Sequence, residues 1–185
     1  MLTQVAPCDN LPVESKSAQL LTVCTAAHWF DLDKFFAEAD RVLVPNGVLA
    51  LYAHSIPFIT HPNFVGDQRV ADLVWSMYTN PIILAWEKEV REKVDTGYAT
   101  IALPYDNGGI RKKDIMCTQM LNANQLKGYL MSWSPYQHIQ NKDDAKKFLN
   151  EYDEKIKNIF GNDDFDKITF QLNYPYFLLM GRKPN

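Results

Sequence analysis

Two stretches of the chain concentrate the side chains that can do chemistry. The first is Ala26-Ala27-His28-Trp29, where two residues without bulk precede an imidazole and an indole. Small side chains let a ligand approach the backbone, and an indole face holds a cation well. The second is Ser132-Trp133-Ser134-Pro135-Tyr136-Gln137-His138, a dense polar and aromatic cluster. Its indole N–H, hydroxyls and phenol suit a carboxylate-bearing molecule. Tyr52 and His54 stand at the end of an apolar run and can face such a molecule too. Cys8, Asp9 and Asn10 form a polar loop, in which an acid or a backbone carbonyl can accept an amine. Each of these has a packing alternative. Trp29 can simply lie on the following helix, with His28 a partly exposed turn residue. Residues 8–10 can be a surface turn, and Trp133 a packed residue at a helix end. Four histidines without metal-ligand spacing, and no Cys-x-x-Cys, give no metal site. Ser134 lacks a Gly-x-Ser-x-Gly elbow, and no nucleophile or triad is visible, so hydrolase chemistry is disfavoured.

The elements that must position these residues belong to an ordinary globular chain. It has 185 residues, 46% hydrophobic and 22% charged, which is about one domain and excludes intrinsic disorder. Lys plus Arg is 19 and Asp plus Glu is 22, a net charge of −3. Without a basic excess, a nucleic-acid partner is disfavoured. No apolar run reaches the roughly 18 residues that span a bilayer, and residues 1–10 lack the pattern of a signal peptide. Cys8, Cys24 and Cys117 are odd in number and widely spaced, which fits reduced thiols and a cytoplasmic location.

Residues 1–17 read as irregular, punctuated by Pro7, Asp9, Asn10 and Pro12. Leu20 to Ala27 is apolar on both faces and predicts a buried strand of a parallel sheet. Asp31 is the expected N-cap of a helix whose stripe is Leu32, Phe35, Phe36, Ala39, Val42 and Leu43, with Lys34, Glu38 and Arg41 outside it. That helix is expected to end at Val44, because Pro45-Asn46-Gly47 is a turn. Val48 to Ala53 is the next buried strand, completing a right-handed βαβ unit. Ser55 to Asp67 reads as a loop, and Val70 to Val94 as helix with a break at Pro81. Thr96 to Asp114 reads as loop with a short strand near Ile101, then Ile115 to Leu121 as strand. A short helix from Asn124 to Ser132 is broken by Trp133-Ser134-Pro135-Tyr136. Asp143 caps a helix carrying Ala145, Phe148, Leu149, Tyr152, Ile156 and Ile159 on one face, ended by Gly161. Ile168 to Met180 reads as strand interrupted at Tyr174-Pro175.

Several of these segments resemble one family. Asp9-Asn10-Leu11-Pro12, then Leu20 to Ala27, His28-Trp29-Phe30-Asp31 and Ala39-Asp40-Arg41-Val42-Leu43-Val44-Pro45-Asn46-Gly47-Val48-Leu49-Ala50 look like the second half of a class I S-adenosylmethionine (SAM) methyltransferase. The likeness is to the small-molecule branch that includes trans-aconitate methyltransferase. Gly128-Tyr129-Leu130-Met131-Ser132-Trp133-Ser134 resembles a further segment of that branch. The resemblance covers the chain from about residue 7 onward. It implies an α/β fold: a partial Rossmann-like methyltransferase sheet, the C-terminal half with strands four to seven, and helices on its faces. It implies SAM as cofactor, with Cys8, Asp9 and Asn10 on the adenine side and Ala26, Ala27, His28 and Trp29 along the methionine and sulfonium part. Tyr52, His54, Trp133, Ser134 and Tyr136 would face a small-molecule substrate.

The chain also departs from the family. No Gly-x-Gly occurs, so the loop that cradles SAM is missing, as is the strand supplying the acid for the ribose. Pro7 stands where the family usually has an Asp. Residues 1–185 are therefore expected to form a single, N-terminally truncated methyltransferase-like domain that begins just before strand four. Strand four, central in the family order three-two-one-four-five-seven-six, becomes an edge. Losing about five ladder hydrogen bonds there costs on the order of 1 kcal/mol each, and an apolar edge invites pairing with another chain. Three functions compete. One is methyl transfer from SAM to a small molecule, at a carboxylate oxygen, in an enzyme completed by another polypeptide. The second is a non-catalytic remnant, a binding or dimerisation module that pairs through its open edge with its own copy or a full-length relative. The third is another Rossmann-like enzyme without its nucleotide half. No catalytic side chain is expected, since a carboxylate with a pKa near 4 needs no general base at neutral pH.

Overall fold

The computed structural model describes residues 3–84, 88–161 and 164–185. The chain divides into two compact units. One comprises Met1–Ser55, Glu89–Ile115 and Tyr176–Asn185, the other Ile56–Lys88 and Met116–Pro175.

The first unit opens with strand β1 (Ala18–Cys24), helix α1 (Leu32–Val42) and strand β2 (Leu43–His54). β1 and β2 run parallel, in register from Leu20↔Val48 to Cys24↔Tyr52. The second half of strand β5 (Thr169–Arg182) pairs antiparallel with β2, from Val48↔Arg182 to His54↔Tyr176. This β1-β2-β5 order, with its antiparallel third strand, is the expected four-five-seven arrangement of a Rossmann-like methyltransferase. α1 forms where its stripe predicts. The Asp31 carboxylate accepts from the Lys34 backbone N–H at the N-cap, and Phe35, Ala39 and Val42 are buried. These side chains cover one sheet face, where Val23, Leu49, Leu51, Ala53, Phe177 and Leu179 complete the core.

The other face is bare. Leu20, Thr22 and Cys24 are exposed, Leu20 at 58%. Residues 47–54 of β2 and 176–181 of β5 alternate between buried and half-buried. The expectation of a strand buried on both faces is therefore overturned. Among the described strands β1 pairs only with β2, so its outer edge and one face stay in water.

Other boundaries moved as well. α1 ends at Val42, two residues early, and Pro45-Asn46-Gly47 lies inside β2 as a bulge. The register jumps there from Ala18↔Leu43 to Leu20↔Val48. Asn46 takes a left-handed φ of 64°, and a Cβ on Gly47 would sit 2.9 Å from the Val44 carbonyl oxygen and 3.2 Å from that of Ala18. Only glycine fits so close a backbone approach.

The second unit holds strand β3 (Phe58–Thr60), a 3₁₀ turn at Pro62–Phe64 and helices α2 (Gln68–Ala71), α3 (Leu73–Tyr78) and α4 (Pro81–Leu84). Where one helix broken at Pro81 was expected, these are separate short helices; residues 85–87 of that expected helix lie outside the described residues, and its last part is helix α5 (Lys88–Asp95), which from Glu89 onward belongs to the first unit. Buried Asn80 starts α4, its side-chain oxygen accepting from the Ile82 N–H at 2.9 Å. β4 (Ile110–Asn122) starts five residues before the expected strand. Helices α6 (Ala123–Met131), α7 (Ser134–Gln137) and α8 (Lys142–Phe160) follow. A reciprocal capping box between Asn122 and Gln125 starts α6. Asn141, not Asp143, caps α8, and left-handed Gly161 ends it as expected. The core gathers Leu73, Met77, Leu126, Phe148, Tyr152, Phe170 and Leu172. β3 pairs antiparallel with β5 at residues 171–173. Tyr174-Pro175 then falls between the β3 ladder and the β2 ladder. A proline without an N–H is tolerated in the continuous strand at that gap.

Candidate functional site

The carboxyl end of β1 is sharper than its sequence suggests. The strand stops at Cys24, three residues before the expected Ala27. Thr25 adopts a left-handed φ of 47°, a genuine outlier for a β-branched residue. Its N–H still donates to the Tyr52 carbonyl at 2.8 Å. Ala27–Trp29 form one 3₁₀ turn, closed by Trp29 N–H to the Ala26 carbonyl at 3.0 Å and Phe30 N–H to that of Ala27 at 3.2 Å. α1 begins immediately afterwards. Ala27 is fully buried, Ala26 lies against the core and Trp29 is 45% exposed.

His28 is buried rather than partly exposed. Its Nδ1 lies 2.9 Å from the hydroxyl of Tyr98, which is fully buried. The Lys93 ammonium donates to the His28 carbonyl at 3.5 Å. Burial first, and the Lys93 charge second, push the His28 pKa down to about 4. The ring is therefore neutral at physiological pH. Burial raises the Tyr98 phenol to about 12, with the backbone amides of His28 and Ala27 working against the shift. Tyr98 and Lys93 were missed by the sequence, where they fall in an expected loop and at the end of a helix with no distinguishing motif.

The loop of Cys8, Asp9 and Asn10 is a tight turn, Asn10 N–H donating to the Pro7 carbonyl at 3.2 Å. Cys8 lies against the first unit's core, and its thiol is raised by burial, then by Asp9 and Asp31. Asp31, which acts on this thiol, is the N-cap of α1. What anchors the loop is a pair assigned in the sequence to the solvent face. Glu38 is buried and accepts from the Leu11 N–H at 2.6 Å and from Arg41 at 2.6 and 2.7 Å. Arg41 in turn donates to the Leu11 carbonyl at 3.1 Å. The Arg41 guanidinium holds Glu38 down at about 2. The Leu-Pro loop is thus tied to helix α1 by a closed charge-assisted network.

On the bare sheet face, Tyr52 stands directly across from Cys24. The Cys24 thiol opposite raises the Tyr52 phenol, and Tyr176 adds to the shift. His54 meets the Tyr176 ring edge-on at 5.4 Å, and its Nδ1 lies 2.9 Å from the Ser55 carbonyl. Burial lowers its pKa. Cys24 and Tyr176 extend the expected Tyr52–His54 pair into a row across three strands.

In the second unit, Trp133 precedes α7 and packs edge-to-face with Tyr78 at 5.9 Å and Tyr129 at 5.6 Å. The Ser134 carbonyl accepts from the His138 N–H at 3.1 Å, and Tyr136 packs on Phe148 at 5.6 Å. These aromatics serve that unit's core. A cleft of about 590 Å³ in the same unit is lined by Ile59, His61, Phe64, Val65, Met120 and Gln171 among others, and contains none of the expected site residues. No described helix is long and apolar enough to cross a membrane.

Residues 2–51 match the model of a methyltransferase domain family. A candidate methyltransferase of Dictyostelium discoideum is 27% identical over 183 residues, covering 97% of this chain. The chain is similar in sequence to methyltransferases. It spans 65% of that relative's length. The solved structure of a candidate type II methyltransferase from Anaeromyxobacter dehalogenans shares the fold, with a TM-score of 0.76 at 23% identity, over 98% of this chain and 72% of the other.

Proposed function

We propose that the chain takes part in SAM-dependent methyl transfer to a small molecule, at a carboxylate oxygen. The observation that carries this reading is the turn at the end of β1, residues 26–29. In open α/β sheets ligands lie beyond the carboxyl ends of the strands, which is where this turn begins. The side chains present fit one side of SAM. Trp29 offers a half-exposed indole for a sulfonium cation. Ala26 and Ala27 leave room beside the backbone, and Asp9 and Asn10 are exposed acceptors for an adenine amine. The sequence contains no Gly-x-Gly. When bound, SAM supplies a methyl group whose bond to sulfur breaks as the acceptor oxygen bonds to its carbon. The chain's own contribution is orientation, which is the larger part of catalysing a displacement by an already ionised acceptor. Tyr52 and His54 at the adjacent strand end, and Trp133, Ser134 and Tyr136 in the second unit, are the substrate-side candidates.

One observation favours a second reading. β1 presents an open edge and the bare face of Leu20, Thr22 and Cys24, the pattern expected of a chain that pairs with a second copy or a full-length relative. In that reading the protein is a binding or dimerisation module without catalysis of its own. Isothermal titration of SAM into the purified chain separates the two. Micromolar binding supports methyl transfer. No binding, from a chain whose circular dichroism shows it folded, refutes the enzyme reading for this polypeptide and leaves the module.

A further inference from the structure

Two non-glycine residues in left-handed backbone conformations converge on the 26–29 turn. Thr25, φ 47°, enters it. Tyr98, φ 57°, touches it from a segment more than sixty residues away. Such conformations persist only where the surroundings over-determine them, and they cluster at functional sites. Tyr98 is held at every group it has. Its N–H donates to the Lys93 carbonyl at 2.8 Å, closing the end of α5 together with left-handed Gly97. Its carbonyl accepts from Arg111 at 2.8 Å. Its ring packs edge-on against Phe177 with centroids 4.9 Å apart. Its hydroxyl, fully buried, ends against the backbone of Ala27 and His28 and 2.9 Å from the His28 Nδ1.

We propose that Tyr98 is the positioning residue of the cofactor-side turn: its hydroxyl donates to His28 Nδ1, fixes that ring as the Nε2-protonated tautomer, and so sets the direction in which the neighbouring Trp29 indole faces. The inference rests on reading the turn as the cofactor side. The proton assignment follows from the surroundings. The Tyr98 hydroxyl lies 2.9 Å from Nδ1, and a buried phenol that donates there makes Nδ1 the acceptor and leaves the ring proton on Nε2. A neutral His28 agrees with this, since among the described residues the groups facing it are the Tyr98 hydroxyl and the Lys93 ammonium, neither of which stabilises an imidazolium. The His28 and Trp29 rings stand 5.4 Å apart, tilted by 47°. Turning the imidazole would therefore displace the indole.

The test uses the whole chain with ¹⁵N-labelled histidine, wild type and Tyr98→Phe, with SAM as the ligand. Tyr98→Phe keeps the buried ring and removes only the hydroxyl. In wild type, long-range nitrogen–proton spectra are expected to show His28 as the Nε2–H tautomer, without titration between pH 5 and 8. In Tyr98→Phe its titration rises into that range, and SAM affinity falls about five- to tenfold with the melting temperature nearly kept. A second pair guards against a folding artefact. His28→Asn places an acceptor where Nδ1 stood and His28→Gln where Nε2 stood, so Asn is expected to retain several-fold more affinity than Gln. An Nδ1–H tautomer in wild type, or Asn and Gln variants of equal affinity, overturns the proposal. Wild type and Tyr98→Phe binding SAM equally overturn the positioning role but leave the cofactor reading intact. A wild type that shows the expected tautomer and binds no SAM overturns the cofactor reading, and the role with it.

Discussion

Acid should destabilise the first unit through His28, by an amount that the structure sets. The perturbation is a drop from pH 7.5 to pH 5, in wild type and in His28→Asn. In the unfolded chain His28 titrates at its ordinary 6.5, whereas burial and Lys93 hold it at about 4 in the folded chain. Between those values the unfolded state takes up a proton that the folded state refuses, so stability falls as pH falls. At pH 7.5 neither state is protonated and the linkage contributes almost nothing. At pH 5 the unfolded imidazole is nearly all charged and the folded one mostly neutral, which amounts to about 2 kcal/mol of lost stability. Asparagine does not titrate. Urea unfolding at both pH values should thus show the stability difference between wild type and His28→Asn shifting by about 2 kcal/mol against wild type at the lower pH. A shift below about 0.5 kcal/mol would mean that His28 is charged or water-accessible in the folded chain. The buried contact with Tyr98 would then be wrong, and the tautomer argument with it.

Three further outcomes follow from the geometry. Gly47→Ala places a methyl group 2.9 Å from the Val44 carbonyl oxygen and should cost about 1–3 kcal/mol in denaturant unfolding, as overpacking does. Glu38→Ala leaves the Leu11 N–H and the Arg41 guanidinium without their shared acceptor; it should cost about 1–3 kcal/mol and speed hydrogen exchange at Leu11, while unchanged exchange there would refute the anchoring role. Leu20→Lys sits on the exposed edge strand and should change stability by less than about 0.5 kcal/mol, yet shift any self-associated species toward monomer in analytical ultracentrifugation.

The parts of the fold that periodicity encodes were legible. The stripe Phe35, Ala39 and Val42 faces the core as the sequence implies, and Val48 to Ala53 is a strand as expected, although only Leu49, Leu51 and Ala53 of it are buried. Legibility failed where tertiary context overrides local pattern. Leu20 to Ala27 reads as doubly buried because both its faces are apolar, but burial depends on neighbours, and among the described strands β1 has one. Pro45-Asn46-Gly47 has turn chemistry and does bend the backbone, yet it does so as a bulge within β2 because Ala18 pairs ahead of it. Gly161 was readable as a helix stop because left-handed glycine acts locally.

The site divides along the same line. The residues proposed for the site from the sequence, from Cys8 to Asn10 and from Ala26 to Trp29, are contiguous segments with distinctive composition. The residues that hold them in place, Glu38, Lys93 and Tyr98, act across 27, 65 and 70 positions of sequence. A charged residue off a helix's apolar stripe looks like solvent-facing surface, and nothing in Glu38's neighbours announces the loop it grips. Tyr98 carried a faint local sign, a glycine followed by an aromatic after a helix, compatible with a left-handed stop. What a ligand would meet is therefore written in short motifs, whereas the stiffness that makes the motifs useful is written in long-range pairs. On this view variants at Glu38 or Tyr98 should alter ligand affinity without ever touching a ligand.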